Sequence, residues 1–161
     1  MAKGKFNLSY SLAGSAVLVC VEWLLLAFVI GGAAAKLLVC AVALAGGVAT
    51  LYVAAEIIEE VRSARHMIVL LSACVGEFVV FFAFQYWFLL VVEPASYPAL
   101  GSDPVTLLLQ SVMVFVFNPL YIPATGAGRA LLLINTLASL GLVLFILQNV
   151  WQFRRGQQGV Y

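Results

Sequence analysis

The chain has 161 residues, of which 65% are hydrophobic and only 9% are charged, and its formal net charge is +1. Because soluble proteins carry about 25% charged residues, this composition predicts an integral membrane protein and excludes an ordinary soluble domain. The small net charge gives no basis for nucleic-acid binding, and we predict none. Four apolar runs are long enough to cross a bilayer, namely 10–30, 37–55, 67–92 and 130–151.

The first run, 10–30, resembles a signal peptide in following the basic residues Lys3 and Lys5. The acidic residue Glu22 would interrupt the apolar centre of a signal peptide, which favours a retained membrane helix. The second run contains small residues around Gly46 and Gly47, a pattern that favours close contact with another helix.

The third run ends in an aromatic stretch, in which Tyr86 and Trp87 suit the outer membrane interface. Glu93 and Pro94 end that run, and a loop follows. The loop leads to a shorter apolar stretch between the third and fourth runs.

This shorter stretch, 107–117, has eleven residues and ends at Asn118 and Pro119. Asp103 and Pro104 predict a helix start before it, because Asp is a good N-cap and Pro is favoured at the first helical position. Crossing a bilayer takes about 20 residues, whereas about 10–14 are typical of re-entrant or interfacial segments. The predicted fold is therefore all-α and integral to the membrane, with four transmembrane helices and a re-entrant helix between the third and fourth.

The basic residues predict the orientation. Six of the eight lie before the first run, between the second and third, or after the fourth: Lys3, Lys5, Arg62, Arg65, Arg154 and Arg155. Placing these segments in the cytoplasm puts both termini inside and leaves Lys36 and Arg129 outside. The re-entrant segment then enters from the outer side of a cell or inner membrane.

The three cysteines, Cys20, Cys40 and Cys74, fall within the apolar runs and have no CxxC spacing. They are predicted to be buried structural thiols. The sequence shows no nucleophile–base pair, no metal-ligand cluster and no phosphate-binding glycine loop. We therefore predict no enzyme activity, no metal and no cofactor.

Two carboxylates, Glu22 and Glu77, lie well inside their runs without a basic residue at similar depth. A charge at the bilayer centre costs at least ~2.5–3.5 kcal/mol, so such residues face protein or water. Three interpretations stay open: a protonated carboxyl that hydrogen-bonds between helices, a proton or cation pathway, and pairing with another subunit.

Several polar residues in the apolar runs are expected to form hydrogen bonds rather than to bind ligands. Gln85, Asn135 and Thr136 are predicted to bond between helices. Gln110 and Ser111, on the short helix, are predicted to brace it from behind.

Residues Pro123, Thr125, Gly128 and Arg129 match the pattern P-x-T-x-x-G-R, and an apolar run follows. In the potassium-channel superfamily this pattern commonly lies between the selectivity filter and the inner helix. Together with the order helix, outer loop, short helix, helix, it makes residues 67–155 similar to the pore domain of that family. The resemblance implies a homotetramer, and it divides the chain into a two-helix segment (1–65), a pore-like domain (66–155) and a polar tail (156–161).

The family's filter signature, T-V-G-Y-G-D, aligns with six residues counted back from Pro123: Phe115, Val116, Phe117, Asn118, Pro119 and Leu120. Only the valine matches. A potassium filter uses stacked backbone carbonyls, and its glycines allow the backbone to adopt the required conformations. Phe117 and Pro119 stand at the glycine positions, where positive φ is an outlier for Phe and φ is locked for Pro. The resemblance therefore implies a pore scaffold without a potassium filter.

Two outcomes for this loop stay open. Asn118 and Tyr121 are the polar side chains that could line a passage, whereas Phe115, Phe117 and Leu120 favour dewetting and closure. The family's inner-helix hinge falls on Ser139, with Gly141 two residues later, and these small residues serve either bending or packing.

Our leading prediction is a tetrameric, potassium-channel-like ion channel or channel-like subunit with a non-potassium-selective or closed filter. The alternative is a non-conducting structural or accessory subunit of a larger membrane complex. A small proton-coupled transporter that uses Glu22 and Glu77 is the weakest of the three, since the chain has no inverted repeat. The expected partners are the lipid bilayer, further copies of the chain and other membrane subunits.

Overall fold

The computed structural model describes residues 8–28, 32–60 and 63–158, and throughout these ranges the chain is all-α. The five helices are α1 (Leu8–Phe28), α2 (Gly32–Glu60), α3 (Ala64–Val92), α4 (Pro104–Phe115) and α5 (Gly126–Gln158). A 3₁₀ turn, Pro94–Ser96, follows α3.

Three segments within the described ranges are long and apolar enough to cross a membrane: Gly32–Ile58, Arg65–Val92 and Gly126–Gln148. They confirm the prediction of a membrane protein at this coarse level. Two shorter apolar segments, Leu12–Phe28 and Pro104–Phe115, accompany them.

The helices extend beyond the apolar runs that predicted them. Polar residues continue α2 to Glu60. Helix α5 begins at Gly126, before the apolar run 130–151, and continues beyond that run to Gln158. The predicted polar tail after Gly156 therefore begins as helix. Among the residues that predicted the orientation, Lys3, Lys5 and Arg62 lie outside the described ranges.

Helix α2 lies between α3 and α5, and two adjacent glycines explain how closely the three helices approach. A Cβ built on Gly46 would lie 2.2 Å from Phe81 Cζ of α3, and one on Gly47 would lie 3.0 Å from Ala138 Cβ of α5. Neither glycine position has room for a larger side chain without a shift. The predicted close packing of this segment is confirmed.

Helix α1 lies at the edge of the bundle and runs parallel to α3. Ser15 contacts Glu77, and about two turns farther along each helix Glu22 contacts Gln85, so residue numbers rise together along both helices. Among the side chains described for 12–28, only Glu22 is buried. Cys74 is buried as predicted and Cys40 is half-buried, but Cys20 is exposed, so its predicted burial is wrong. Cys20 lies on an open groove between α1 and α3, which it lines with Val80 and Phe84.

Candidate functional site

Helix α4 begins where the sequence predicted. Asp103 is its N-cap and accepts a hydrogen bond from the Thr106 N–H at 2.9 Å, and Pro104 is the first helical residue. Hydrogen bonding from Thr106 holds the pKa of the Asp103 carboxyl below its usual value. The cap satisfies one of the backbone donors that every helix N-terminus leaves open.

Helix α4 runs back along the second half of α3. Near its start, Pro104 and Trp87 line the same cavity of about 320 Å³. Farther along, the Ser111 hydroxyl donates to the Val79 carbonyl at 2.8 Å, as the predicted bracing requires. At its end, the ring of Phe115 lies 5.8 Å from that of Phe78, the middle residue of α3. With 12 residues, α4 therefore ends half-way along its neighbour.

The end of α4 is a Schellman motif with an unusual residue at its turning point. The Asn118 N–H donates to the Met113 carbonyl at 2.8 Å, and the Phe117 N–H donates to the Val114 carbonyl at 2.9 Å. The motif needs a left-handed residue, normally glycine, and here Phe117 adopts it with a φ of 62°. Left-handed backbone costs a residue with a Cβ about 1–2 kcal/mol, so Phe117 is a strained position.

Gln110 holds the loop that returns from α4 toward α5. Its buried Oε1 accepts from the Leu120 N–H at 3.2 Å and the Tyr121 N–H at 3.1 Å. Its Nε2 donates to the Tyr121 carbonyl at 3.2 Å. One side chain thus satisfies three backbone groups of a segment that has no helix or strand to satisfy them.

The loop residues at the filter position differ in exposure. Phe115 is half-buried, and Tyr121 is half-buried and packs against the core. Val116, Phe117, Asn118, Pro119 and Leu120 are all exposed. Of the two polar residues predicted to line a passage, Asn118 is therefore exposed, whereas Tyr121 packs against the protein core.

The post-filter motif forms a tight turn against the segment that follows α3. The Ala124 N–H donates to the Ser96 carbonyl at 2.8 Å, and the Tyr97 hydroxyl donates to the Gly128 carbonyl at 3.0 Å. A Cβ on Gly128 would lie 2.8 Å from Pro123 Cβ and 3.1 Å from the Ser96 carbonyl oxygen. Only glycine fits at this position. The exposed Arg129, the last residue of the motif, lies in the first turn of α5.

Glu93, which follows α3, connects the end of that helix with the starts of α2 and α5. Its Oε1 accepts from Lys36 at the start of α2, and its Oε2 accepts from the Thr125 hydroxyl at 2.8 Å. Thr125 Oγ1 in turn accepts from the Gly128 N–H at 3.3 Å. The hydrogen bond from Lys36, and then that from Thr125, holds the pKa of Glu93 below its usual value.

From the sequence, Glu93 was predicted only as a helix end, and its role in joining three segments was not predicted. The one indication in the sequence was Lys36, because the predicted topology placed its positive charge on the same side of the membrane as the negative charge of Glu93. No comparable pattern in the sequence predicted the hydrogen bond between Tyr97 and Gly128.

The two carboxylates inside the apolar helices have partners on the facing helix. Gln85 Nε2 donates to Glu22 Oε2 at 2.8 Å, and the Ser15 hydroxyl donates to Glu77 Oε1. The two contacts lie on different turns of α1 and α3. The structure therefore connects each carboxylate with the opposite helix and does not bring the two together.

Helix α5 is continuous through Ser139 and Gly141. The Ser139 hydroxyl donates to the Asn135 carbonyl at 2.7 Å, and Asn135 Nδ2 donates to the Tyr86 hydroxyl of α3 at 3.1 Å. Asn135 thus bonds between helices as predicted. Tyr86 is fully buried, so its predicted place in an interface belt is wrong.

Thr136 bonds to the Leu132 carbonyl of its own helix, so its predicted bond between helices is also wrong. A threonine hydroxyl readily reaches the carbonyl four residues back. A Cβ on Gly141 would make an ordinary contact of 3.5 Å with Leu51 of α2.

No family model, curated protein or solved structure matches the chain. The assignment of a function therefore depends on the geometry of the chain itself.

Proposed function

We propose that the chain is a pore-loop membrane protein with four transmembrane helices and a re-entrant α4, and that it assembles as a homotetramer around the loop 115–121. Both termini are then cytoplasmic. The loop forms an ion pathway that is closed or not selective for potassium.

The observation that carries this proposal is the exposed loop beside the middle of α3. Helix α4 ends next to Phe78, and from Val116 to Leu120 the chain is non-helical and exposed. If α3 crosses the bilayer, this backbone lies near the midplane. Irregular backbone is tolerated there only when protein covers it or when it lines a water-filled cavity. The part of the chain that the structure describes leaves this backbone uncovered, so we assign the cover to other subunits or to water.

A second apolar surface supports association between copies. On α5, a stripe of exposed leucines recurs at alternating spacings of four and three residues: Leu133, Leu137, Leu140, Leu144 and Leu147. This spacing is typical of helices that pack with a left-handed crossing. In a tetramer, the stripe would face the neighbouring copy or the central axis.

The backbone bonding of the loop argues against a potassium-type filter. The Phe117 and Asn118 N–H groups, at two of the filter-aligned positions, donate the capping bonds to the Val114 and Met113 carbonyls. These bonds fold the segment into a tight turn at the end of α4, which differs from a ladder of stacked carbonyls around an ion. Pro119 has φ locked near −65°, which excludes the freedom of a filter glycine.

The test has two parts, both on the full chain. Native mass spectrometry of the detergent-purified protein should give a fourfold homo-oligomer, and a monomer would overturn the assembly. Flux assays on reconstituted liposomes should then show either no flux or flux without preference for potassium over sodium. Strong potassium selectivity would contradict the proposed loop chemistry.

The alternative function, an accessory subunit without conduction, is favoured by the side chains of the same loop. Val116, Phe117, Leu120 and Ile122 are all exposed and apolar, and Ile122 is 82% exposed. Such a surface would pack against an unrelated apolar subunit as readily as against itself. Purification from native membranes distinguishes the two, since a single copy with different subunits supports only the accessory function.

A further inference from the structure

In the contact between Glu22 and Gln85, one oxygen atom of each side chain is left without a hydrogen bond. Gln85 Nε2 donates to Glu22 Oε2 at 2.8 Å, and neither side chain is more than 1% exposed. The other oxygen of each side chain, Glu22 Oε1 and Gln85 Oε1, is buried and has no hydrogen-bond partner. An amide oxygen can only accept, and so can an ionised carboxylate. The pair as it stands therefore has two open acceptors and lacks one donor.

No charge in the described part of the chain replaces that donor. Among these residues Gln85 is the one hydrogen-bond partner of Glu22, and the ion pair that they form joins Lys36 to Glu93. The other titratable or charged groups with described side chains on the helices packed around Glu22 are Cys20 on α1, Lys36, Cys40, Tyr52 and Glu56 on α2, Arg65, His66, Cys74, Glu77 and Tyr86 on α3, and Glu93 just after α3. Glu22 Oε2 bonds to Gln85, and Glu22 Oε1 bonds to none of these groups. A buried carboxylate without a countercharge is strongly unfavourable.

We propose that Glu22 is a proton-binding site, and that its Oε1–H donates to Gln85 Oε1 to close a reciprocal acid–amide pair. A single proton on Glu22 Oε1 turns that oxygen into a donor, and the bond that it donates satisfies Gln85 Oε1. A metal cation is a poor alternative, because Mg²⁺ and Ca²⁺ require about six or more oxygen ligands.

The bound proton would hold α1 against α3. Glu22 is the one buried side chain among those described for α1, so the pair is the central contact of this helix with the bundle. The second contact, between Ser15 and Glu77, differs in that a hydroxyl supplies the donor and that Glu77 is only half-buried. Glu77 therefore provides a matched control for Glu22.

Infrared difference spectroscopy of the full chain in lipid tests the protonation state at neutral pH. Comparing wild type with Glu22→Gln should show the loss of a protonated-carboxyl C=O band that shifts in D₂O. The control, Glu77→Gln, should leave that band in place. Loss of carboxylate bands in Glu22→Gln, with no change in the protonated-carboxyl region, would overturn the proposal.

Hydrogen exchange of the α1 amides tests the attachment. Glu22→Gln can form a reciprocal amide–amide pair with Gln85 and should exchange as wild type does. Glu22→Ala leaves a buried amide without a partner, and its α1 amides should exchange about ten- to a hundredfold faster. A Glu22→Gln protein that loses α1 protection or fails to fold would contradict the neutral pair, as would a Glu22→Ala protein with unchanged exchange.

Discussion

Phe117 is the residue at which local strain is easiest to measure. It occupies the left-handed position of the α4 cap with a φ of 62°, a conformation that glycine adopts without a Cβ penalty. Phe117→Gly and Phe117→Ala both remove the exposed ring, but only the alanine variant keeps the Cβ. We expect the glycine variant to be more stable than the alanine variant by about 1 kcal/mol. Thermal unfolding in detergent would measure the difference, and an alanine variant of equal or greater stability would show that the strain is absent.

Position 128 requires glycine because its neighbours lie too close for a Cβ, and not because of its φ. Gly128→Ala would place a Cβ 2.8 Å from Pro123 and 3.1 Å from the Ser96 carbonyl oxygen. Overpacking of this kind typically costs about 1–3 kcal/mol. The matched control is Gly126→Ala, whose Cβ would meet nothing within 4 Å. We expect the melting temperature to fall for Gly128→Ala alone, and an equal effect of both changes would contradict the close approach.

Gln110 can be tested by the amides that it protects. Gln110→Leu removes the acceptor for the Leu120 and Tyr121 N–H groups, and an unsatisfied buried polar group costs about 1–3 kcal/mol. We expect the exchange of these two amides to accelerate, while the amides in the middle of α4 keep their protection. Gln110→Glu is the control, because a protonated carboxyl at this buried position can still accept both bonds and donate to the Tyr121 carbonyl. Similar exchange in the two variants would show that Gln110 does not hold the loop.

At the scale of secondary-structure elements, Glu93 links the starts of α2 and α5 to the end of α3. Its pKa is held below the usual value by Lys36 and then Thr125, so the ionised form stabilises the folded protein. That contribution is complete above the unfolded pKa of about 4.3 and is lost as the pH falls through the lower folded pKa.

Glu93→Gln should therefore lower the melting temperature at neutral pH, and the difference from wild type should shrink as the solution is acidified below pH ~4. Glu56→Gln, near the opposite end of α2, is the control and should not reproduce this pH-dependent difference. A difference for Glu93→Gln that is constant with pH would indicate lost shape complementarity rather than lost charge.

The elements also show which features were predictable from the sequence. Asp103 and Pro104 predicted the start of α4 because a helix cap depends on adjacent residues. Gly46 and Gly47 predicted close packing because small residues permit it whatever the partner. The pairing of Glu22 with Gln85 was not predictable, because it depends on the register of α1 against α3. The left-handed Phe117 was not predictable either, since local preference opposes it.

At the scale of the whole molecule, assembly is the property that decides between the proposed functions. A single cysteine at Leu137, in the exposed leucine stripe of α5, should form disulfide cross-links between copies in a background without Cys20, Cys40 and Cys74. A cysteine at Val48, on the exposed face of α2, is the control and should cross-link less. Gel electrophoresis without reductant would measure both. Equal cross-linking at the two sites would argue against an α5 interface.

The position at which α4 ends has an electrostatic consequence for the assembled protein. The aligned peptide dipoles of a helix place about half a negative charge at its C-terminus, and the C-terminus of α4 lies beside the middle of α3. Four copies around one axis would direct four negative dipole ends toward the centre of the membrane. Such a field attracts cations and repels anions, whatever the identity of the loop side chains. Any passage through this assembly would therefore discriminate by the sign of the charge even without a filter that discriminates between cations.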